Sequence, residues 1–257
     1  MKRPVVGVIA TGRVIEGRHA VQGAGERNLR AVADVANAMP IMFAGMPDIT
    51  DVGELLQLVD GIVLTGGRAN VHPTLYGMDP EPRYEPYDER RDQVALDAVR
   101  ASVDAGLPLL GICRGHQEIA VAFGSTLHPE IRELPGRLNH RMPRLANGEP
   151  HPDPAVVFAD RHDVALTKGG VFEKLYGKST IRVNSLHGQG ILEAGERVTV
   201  EGVAEDGTIE AISIVGAKGF ALGVQWHAEF DPQTNPVNRT LLEAFGGAVR
   251  AQAARRR

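Results

Sequence analysis

Apolar residues along the first half of the chain fall into two alternating patterns. Short apolar runs, typical of buried strands, occupy residues 4–9, 40–43, 62–64 and 108–112. Apolar residues at helical spacing occupy residues 29–36, 52–59, 92–105 and 114–123. Strands and helices that alternate in this way predict right-handed crossovers and a largely parallel sheet.

The pattern changes in the rest of the chain. Residues 68–90 contain four prolines and predict a long, functional surface loop over the carboxyl ends of the strands. Residues 125–180 have no clear periodicity. Further on, the pattern predicts antiparallel strands over 198–214 with a turn at 205–207, a strand over 220–226 and a helix over 238–251. Because no repeat or linker divides the chain, we expect a single domain over residues 1–257.

Composition narrows the class of protein. Lys and Arg total 28 against 32 Asp and Glu, a net charge of −4. The chain therefore lacks the excess of basic residues that is typical of nucleic-acid-binding proteins. One cysteine excludes an internal disulfide and a cysteine-cluster zinc site. No apolar run has the length of a membrane span, and the N-terminus lacks the pattern of a signal peptide. We therefore expect a cytoplasmic protein that acts neither on nucleic acid nor in a membrane.

The single cysteine lies at a strand-to-helix turn. Cys113 stands between Gly111 and Gly115 in a G-x-C-x-G pattern. Small residues on both sides let the strand and helix approach closely and expose the sulfur at the carboxyl edge of the sheet. The following helix N-terminus also favours a thiolate. The pattern therefore indicates a nucleophile, with a buried structural cysteine as the alternative.

A cysteine nucleophile needs a base and donors for an oxyanion. His227 and Glu229 lie two residues apart, so an extended backbone would direct both side chains the same way. The alternatives are a surface strand end or metal ligation, and no H-E-x-x-H pattern supports the second. Gly66-Gly67 and the N–H of Arg114 are candidate oxyanion donors, although two glycines also form ordinary turns.

These motifs together resemble a known superfamily. The segments 111–117 (GICRGHQ) and 225–229 (QWHAE) are similar to class I glutamine amidotransferase domains. Within that superfamily, the segments 70–73 (NVHP) and 183–190 (VNSLHGQG) are most similar to γ-glutamyl-γ-aminobutyrate hydrolases of putrescine and polyamine degradation. The resemblance implies a flavodoxin-like α/β fold: a central, mostly parallel sheet flanked by helices, with a small antiparallel sheet. Ala228 departs from the proline usual between the His and the Glu.

The resemblance also implies roles for individual residues. Cys113 is the nucleophile, His227 the base and then the acid, and Glu229 the residue that orients His227. The N–H groups of Gly67 and Arg114 form the oxyanion hole. The residues implied to hold the glutamyl group are Gln117, Asn184, Ser185, Leu186 and His187. For Gln117 a solvent-facing position and for His187 a structural role remain alternatives.

Three functions remain open at this point. The first is a free-standing hydrolase of a γ-glutamyl amide that needs no metal or organic cofactor. Arg68, Arg83 and Arg137 are candidate cations for the acidic end of such a small-molecule substrate. The second is a glutaminase subunit that passes ammonia to a separate synthase, and the third is a non-catalytic binding module. The oligomeric state also stays open, with a homodimer among the alternatives.

Overall fold

The structure is a computed structural model and describes residues 3–256. The strands in this part of the chain are β1 (Val5–Ile9), β2 (Thr11–Ile15), β3 (His19–Gly23), β4 (Met39–Phe43), β5 (Gly61–Leu64), β6 (Leu109–Ile112), β7 (Thr126–His128), β8 (Asp160–Leu166), β9 (Thr180–Asn184), β10 (Gly190–Glu193), β11 (Val198–Ala204), β12 (Ile209–Ile214) and β13 (Ala221–Val224).

The α-helices are α1 (Glu26–Arg30), α2 (Val52–Leu58), α3 (Glu89–Ala105), α4 (Arg114–Ala122), α5 (Pro154–Val157), α6 (Val171–Tyr176) and α7 (Pro236–Arg255). A π-helical turn over Ala31–Val35 continues α1. Short 3-10 turns occupy Pro73–Tyr76, Pro82–Tyr84 and Ile131–Glu133. Between residues 3 and 256, no helix combines the length and hydropathy needed to cross a bilayer.

Nine strands form the central sheet, in the order β4-β1-β5-β6-β13-β12-β11-β8-β9. The first five strands pair in parallel, and β12, β11, β8 and β9 extend them as an antiparallel ladder. Two small antiparallel sheets, β10-β7 and β2-β3, lie apart from it. The architecture confirms the predicted parallel sheet with flanking helices and an antiparallel part.

Alternate residues of the parallel strands pack into two hydrophobic cores, one on each face of the sheet. Ile62 and Leu64 pack on one face with α2, α3 and α4, whereas Val63 between them packs on the other face with α6 and α7. Both faces are covered, so these strands are apolar throughout instead of alternating. That double burial is why short apolar runs predicted them correctly. It also places the carboxyl ends of β5, β6 and β13 side by side.

Two segments differ from the sequence-based expectation. Residues 11–23 form the β2-β3 hairpin, whose strands are largely exposed and therefore lack an apolar signal. Residues 125–180, which showed no clear period, contain β7, α5, β8 and α6. Burial does alternate along β8, where His162, Val164 and Leu166 are buried. The first of these buried residues is a polar histidine, so the sequence shows no clear apolar alternation.

Candidate active site

Cys113 occupies a strained turn between β6 and α4. Its backbone has φ 52° and ψ −101°, a left-handed conformation that is costly for a residue with a side chain. The turn is tight because a Cβ on Gly111 would lie 2.5 Å from the carbonyl oxygen of Gly115, and a Cβ on Gly115 would overlap the carbonyl oxygen of Leu64. Glycine is thus required at both flanking positions, and the strain is concentrated at the residue that bears the sulfur.

His227 lies beside this turn. A Cβ built on Gly66 would come within 2.9 Å of His227 Cε1 and 3.5 Å of Cys113 Cβ, so the imidazole and the cysteine both border the same glycine. His227 Nδ1 lies 2.7 Å from Glu229 Oε1. The structure therefore brings the thiol of Cys113 next to the imidazole of His227 and the carboxylate of Glu229, which follow it by more than a hundred residues.

The His227–Glu229 contact does not form as the sequence argument assumed. The strand β13 ends at Val224, and residues 228–229 form a turn in which the N–H of Phe230 donates to the carbonyl of His227 at 3.2 Å. The two side chains meet across this turn and not along an extended segment. The prediction of extended backbone was wrong because the strand ends before the histidine.

Asn184, at the end of β9, fixes the His227 backbone. Its Oδ1 accepts from the N–H of His227 at 2.8 Å, and its Nδ2 donates to the His227 carbonyl at 3.2 Å. Ala228 is fully buried next to it. These two hydrogen bonds hold the segment that proline stiffens in the resembled superfamily, and the His227–Glu229 contact forms with alanine in that position.

The charges of the site favour a protonated His227. Burial alone would disfavour the charged ring, but the charges of Glu229 and Cys113, with hydrogen bonds to both, raise the pKa of His227 well above its usual range. Burial likewise opposes ionisation of Glu229, yet the neighbouring His227 and, more weakly, Arg27 lower the pKa of that carboxyl. The arrangement therefore places a protonated imidazole between Cys113 and the Glu229 carboxylate, where it can give a proton to a leaving group.

A cavity of about 760 Å³ opens over these groups. Gly66, Gly67, Cys113, His227 and Glu229 form one side of it. Within the described part of the chain, seven arginines and two acidic residues, Glu26 and Glu229, line it. The arginines of the lining are Arg13, Arg27, Arg30, Arg68, Arg114, Arg141 and Arg144.

The two candidate oxyanion donors stand on adjacent elements of this wall. Gly67 follows β5, and Arg114 is the first residue of α4, where an N–H has no carbonyl of its own helix to donate to. A Cβ on Gly67 would lie 3.0 Å from Arg114 Cδ, so the two residues pack against each other. Both residues line the cavity beside the turn that bears Cys113, so both stay candidates for the oxyanion hole.

The Arg114 side chain points away from the cavity into a buried charge quartet. The quartet consists of Arg91, Asp92, Arg114 and Glu118, two cations and two anions that are all at most 1% exposed. Arg114 pairs with Asp92 at 2.6 Å and with Glu118, and Arg91 pairs with Glu118 at 2.9 Å. Arg91 also donates to the carbonyl of Thr65 at 2.5 Å. The quartet ties the start of α4 to α3 and to the end of β5.

The remaining predicted residues divide into two groups. Gln117, Leu186 and His187 line the cavity. Asn184 and Ser185 are buried, and their side chains are bonded to protein: Asn184 to His227 and Ser185 Oγ to the carbonyl of His140 at 3.0 Å. Gln117 Nε2 donates to the carbonyl of Gln189 at 2.6 Å and to Gln225 Oε1 at 3.0 Å.

The predicted cations also divide. Arg68 lines the cavity, but Arg83 pairs with Glu81 and Glu133, and Arg137 donates to Thr208, both outside the cavity lining. Sequence reasoning missed Arg27, whose guanidinium lies 4.7 Å from the ring centre of Phe158. Phe158 in turn contacts the ring of His227 edge-on, with centroids 5.6 Å apart. No sequence pattern links these three residues, because the contact exists only in the folded chain.

Comparison with known proteins agrees with this geometry. The sequence profile of the Peptidase C26 family matches residues 4–229. The chain belongs to the Peptidase C26 family. The match confirms the predicted recognition of a class I glutamine amidotransferase-like family and the predicted hydrolase.

Relatives of this Peptidase C26 protein carry related names. It is 36% identical to the gamma-glutamyl-gamma-aminobutyrate hydrolase of Escherichia coli K12, over 95% of this chain and 93% of the relative. It is 33% identical to a putative glutamine amidotransferase of Mycobacterium tuberculosis, over 85% of this chain and 67% of the relative. A putative GMP synthase subunit from Thermoplasma acidophilum shares the fold, with a TM-score of 0.63 at 18% identity, covering 100% of this chain and 98% of that one.

Proposed function

We propose that this Peptidase C26 protein hydrolyses a γ-glutamyl amide through a thioester on Cys113, with γ-glutamyl-γ-aminobutyrate as substrate. The observation that carries the proposal is the convergence of Cys113, His227 and Glu229 at the floor of one arginine-rich cavity. The 36% identity to a gamma-glutamyl-gamma-aminobutyrate hydrolase over nearly the whole chain supports the choice of substrate. Such a reaction would belong to the breakdown of putrescine and other polyamines.

The first half-reaction forms the thioester. The Cys113 thiolate attacks the γ-carbonyl carbon, a C–S bond forms, and the carbonyl oxygen becomes an oxyanion that accepts from the N–H groups of Gly67 and Arg114. The intermediate collapses, the C–N bond breaks, and the His227 imidazolium gives its proton to the leaving amine. The charge of Glu229 holds the ring in place and stabilises its protonated form.

The second half-reaction releases glutamate. Neutral His227 removes a proton from water, and the resulting hydroxide attacks the thioester carbonyl in the same donor pocket. The C–S bond breaks, and the sulfur leaves as the thiolate that began the cycle, next to the reprotonated His227. Neither half-reaction requires a group other than this chain's own residues, the substrate and water.

Charge supports a substrate with two carboxylates. Arg30 pairs with Glu26 and Arg141 with Glu130, whereas no carboxylate within residues 3–256 lies within 4.0 Å of the guanidinium nitrogens of Arg13 or Arg68. Arg68 directly follows the oxyanion donor Gly67 and lines the same cavity. We assign Arg68 and Arg13 to the carboxylate at the far end of the leaving amine, while Gln117 and the 184–187 segment hold the glutamyl group.

The experiment is a matched substrate panel with glutamate release as the readout. Purified protein receives γ-glutamyl-γ-aminobutyrate, its neutral carboxamide analogue and glutamine. We expect kcat/KM to be highest for the first, and the advantage over the carboxamide to fall about tenfold in Arg68→Met, as loss of one charged contact predicts. Arg83→Met, which alters an arginine outside the cavity, is the matched control.

Other results would redirect the proposal. Preference for glutamine would favour a glutaminase subunit that supplies ammonia to a synthase, and turnover of none of the three would favour a binding module. The cytoplasmic location and the oligomeric state stay predictions. Light scattering of the purified chain tests for a homodimer.

A further inference from the structure

A cluster of buried histidines lies behind the cavity wall, and none of its side chains takes part in the proposed bond-making and bond-breaking steps. The cluster consists of His140, His162, His187 and Glu210, none of them more than 4% exposed. Three imidazole nitrogens face one carboxylate oxygen, Glu210 Oε1: His162 Nε2 at 3.0 Å, His140 Nδ1 at 3.6 Å and His187 Nε2 at 3.6 Å. One ligand atom each from His140, His162 and Glu210 lie within 4.8 Å of one another.

The facing atoms lack conventional partners. His162 Nε2, His187 Nε2 and both carboxylate oxygens of Glu210 are buried without a hydrogen bond of acceptable geometry in the described part of the chain. Buried polar atoms in such a state are costly, so their convergence on one point calls for a group that satisfies all of them.

The outer sides of the rings are held as metal-binding histidines usually are. His140 Nε2 lies 2.9 Å from Asp206 Oδ2, and His187 Nδ1 lies 3.0 Å from the carbonyl of Gln189. A carboxylate or carbonyl on the far nitrogen fixes the ring and strengthens the facing nitrogen as a ligand. Ser185 Oγ also lies 2.9 Å from His140 Nδ1, but its hydroxyl can donate to the His140 carbonyl at 3.0 Å instead.

The spacing of three of these groups fits one ion. Ligands about 2.1 Å from a zinc ion stand roughly 3.4 Å apart; His162 Nε2 and His140 Nδ1 lie 3.0 and 3.6 Å from Glu210 Oε1, and one ligand atom of each residue lies within 4.8 Å of the others. Two imidazoles and one carboxylate suit a transition metal, whereas calcium and magnesium prefer oxygen ligands. Two carboxylates, Glu210 and Asp206, also face this cluster, and no arginine or lysine pairs with either within residues 3–256. A dication would balance them.

We propose that His140, His162 and Glu210 bind one zinc-type divalent ion, with the fourth position left to water. The ion joins β8 through His162 and β12 through Glu210 to the loop that carries His140. It lies outside the steps of acyl transfer described above.

The test measures metal content and not activity. Tag-free protein with Cys113→Ser, which removes the sulfur as a competing ligand, is dialysed against Zn²⁺ at about pH 8, because metal binding releases protons from its ligands. We expect one equivalent of zinc per chain by mass spectrometry of the metal. We expect that equivalent to be lost in His162→Gln and in Glu210→Gln, and kept in His19→Gln, which changes an exposed histidine of β3.

A second readout covers variants that fail to fold. Loading the same protein with Co²⁺ gives the intense visible bands of a tetrahedral ion if the three side chains and one water bind it. An equivalent of zinc together with those bands supports the site. Three results would overturn the site: no bound zinc, the same zinc content with and without His162→Gln, or an octahedral cobalt spectrum. The cluster would then be a hydrogen-bonded network without a metal.

Discussion

Cys113 and Glu118, at the start of α4 and one turn into it, differ in backbone strain and in side-chain pairing. Cys113 has a backbone with positive φ and faces the cavity. One turn further along α4, Glu118 is fully buried and pairs with both arginines of the quartet. Strain at one end and dense pairing at the other show how a fold can support an unfavourable turn: the backbone cost at the sulfur is offset by the network that fixes the helix behind it.

Removing the sulfur should affect catalysis and leave stability nearly unchanged. We expect Cys113→Ala to lower kcat at least ~10⁴-fold, because the nucleophile is lost, while the free energy of unfolding changes by no more than about 1–2 kcal/mol. Glutamate release and urea unfolding measure the two quantities. A variant that keeps its activity would remove Cys113 from the mechanism.

Removing one charge of the quartet should lower stability strongly. Glu118→Gln leaves two buried arginines with one anion, Asp92, and we expect it to lower the free energy of unfolding by about 3–5 kcal/mol. Urea unfolding is the measurement, with Glu89→Gln as the control because Glu89 is exposed on α3. If Glu118→Gln were as stable as that control, the quartet would not support the turn.

The carboxylate of the site should affect rate more than binding. We expect Glu229→Gln to lower kcat about 10²-fold with little change in KM, because the amide can still contact His227 Nδ1 but no longer stabilises its positive charge. Steady-state kinetics on the same substrate test this. An unchanged kcat would mean that His227 is oriented by Asn184 alone.

The smallest expected effect concerns the strain itself. Glycine adopts a left-handed backbone without cost, so Cys113→Gly should be more stable than Cys113→Ala by about 1 kcal/mol. The comparison of the two inactive variants isolates the backbone from the chemistry. A Cys113→Gly protein that is less stable than Cys113→Ala would show that the turn is not strained.

The parallel half of the sheet was predictable from sequence, and the antiparallel half only in part. Strands such as β5 and β6 are buried on both faces and read as apolar runs, and the glycines around Cys113 mark a close approach that few other residues permit. The turn after β11 was also predicted, because Asp206-Gly207 is typical of a hairpin turn, and Gly207 adopts a positive φ there. By contrast, β8 and β9 carry polar residues at buried positions, and such positions show no apolar period.

The site shows the same division. Local motifs predicted Cys113, His227 and Glu229, which the structure brings together, since each motif lies within a few residues of one strand end. The bond from Asn184 to His227 and the approach of three histidines to Glu210 join distant segments. Histidine and glutamate at those positions satisfy no spacing rule, so only the folded chain reveals that they meet.

The central claim is that Cys113 carries the acyl group, and a substrate with a readily leaving amine tests it most directly. With γ-glutamyl 4-nitroanilide, hydrolysis of the thioester becomes the slow step and the intermediate accumulates. The account predicts a rapid release of about one equivalent of nitroaniline per chain, together with a γ-glutamyl group on the peptide that contains Cys113 after an acid quench. Nitroaniline release at an unchanged rate in Cys113→Ala, or a γ-glutamyl group on any other residue, would contradict it.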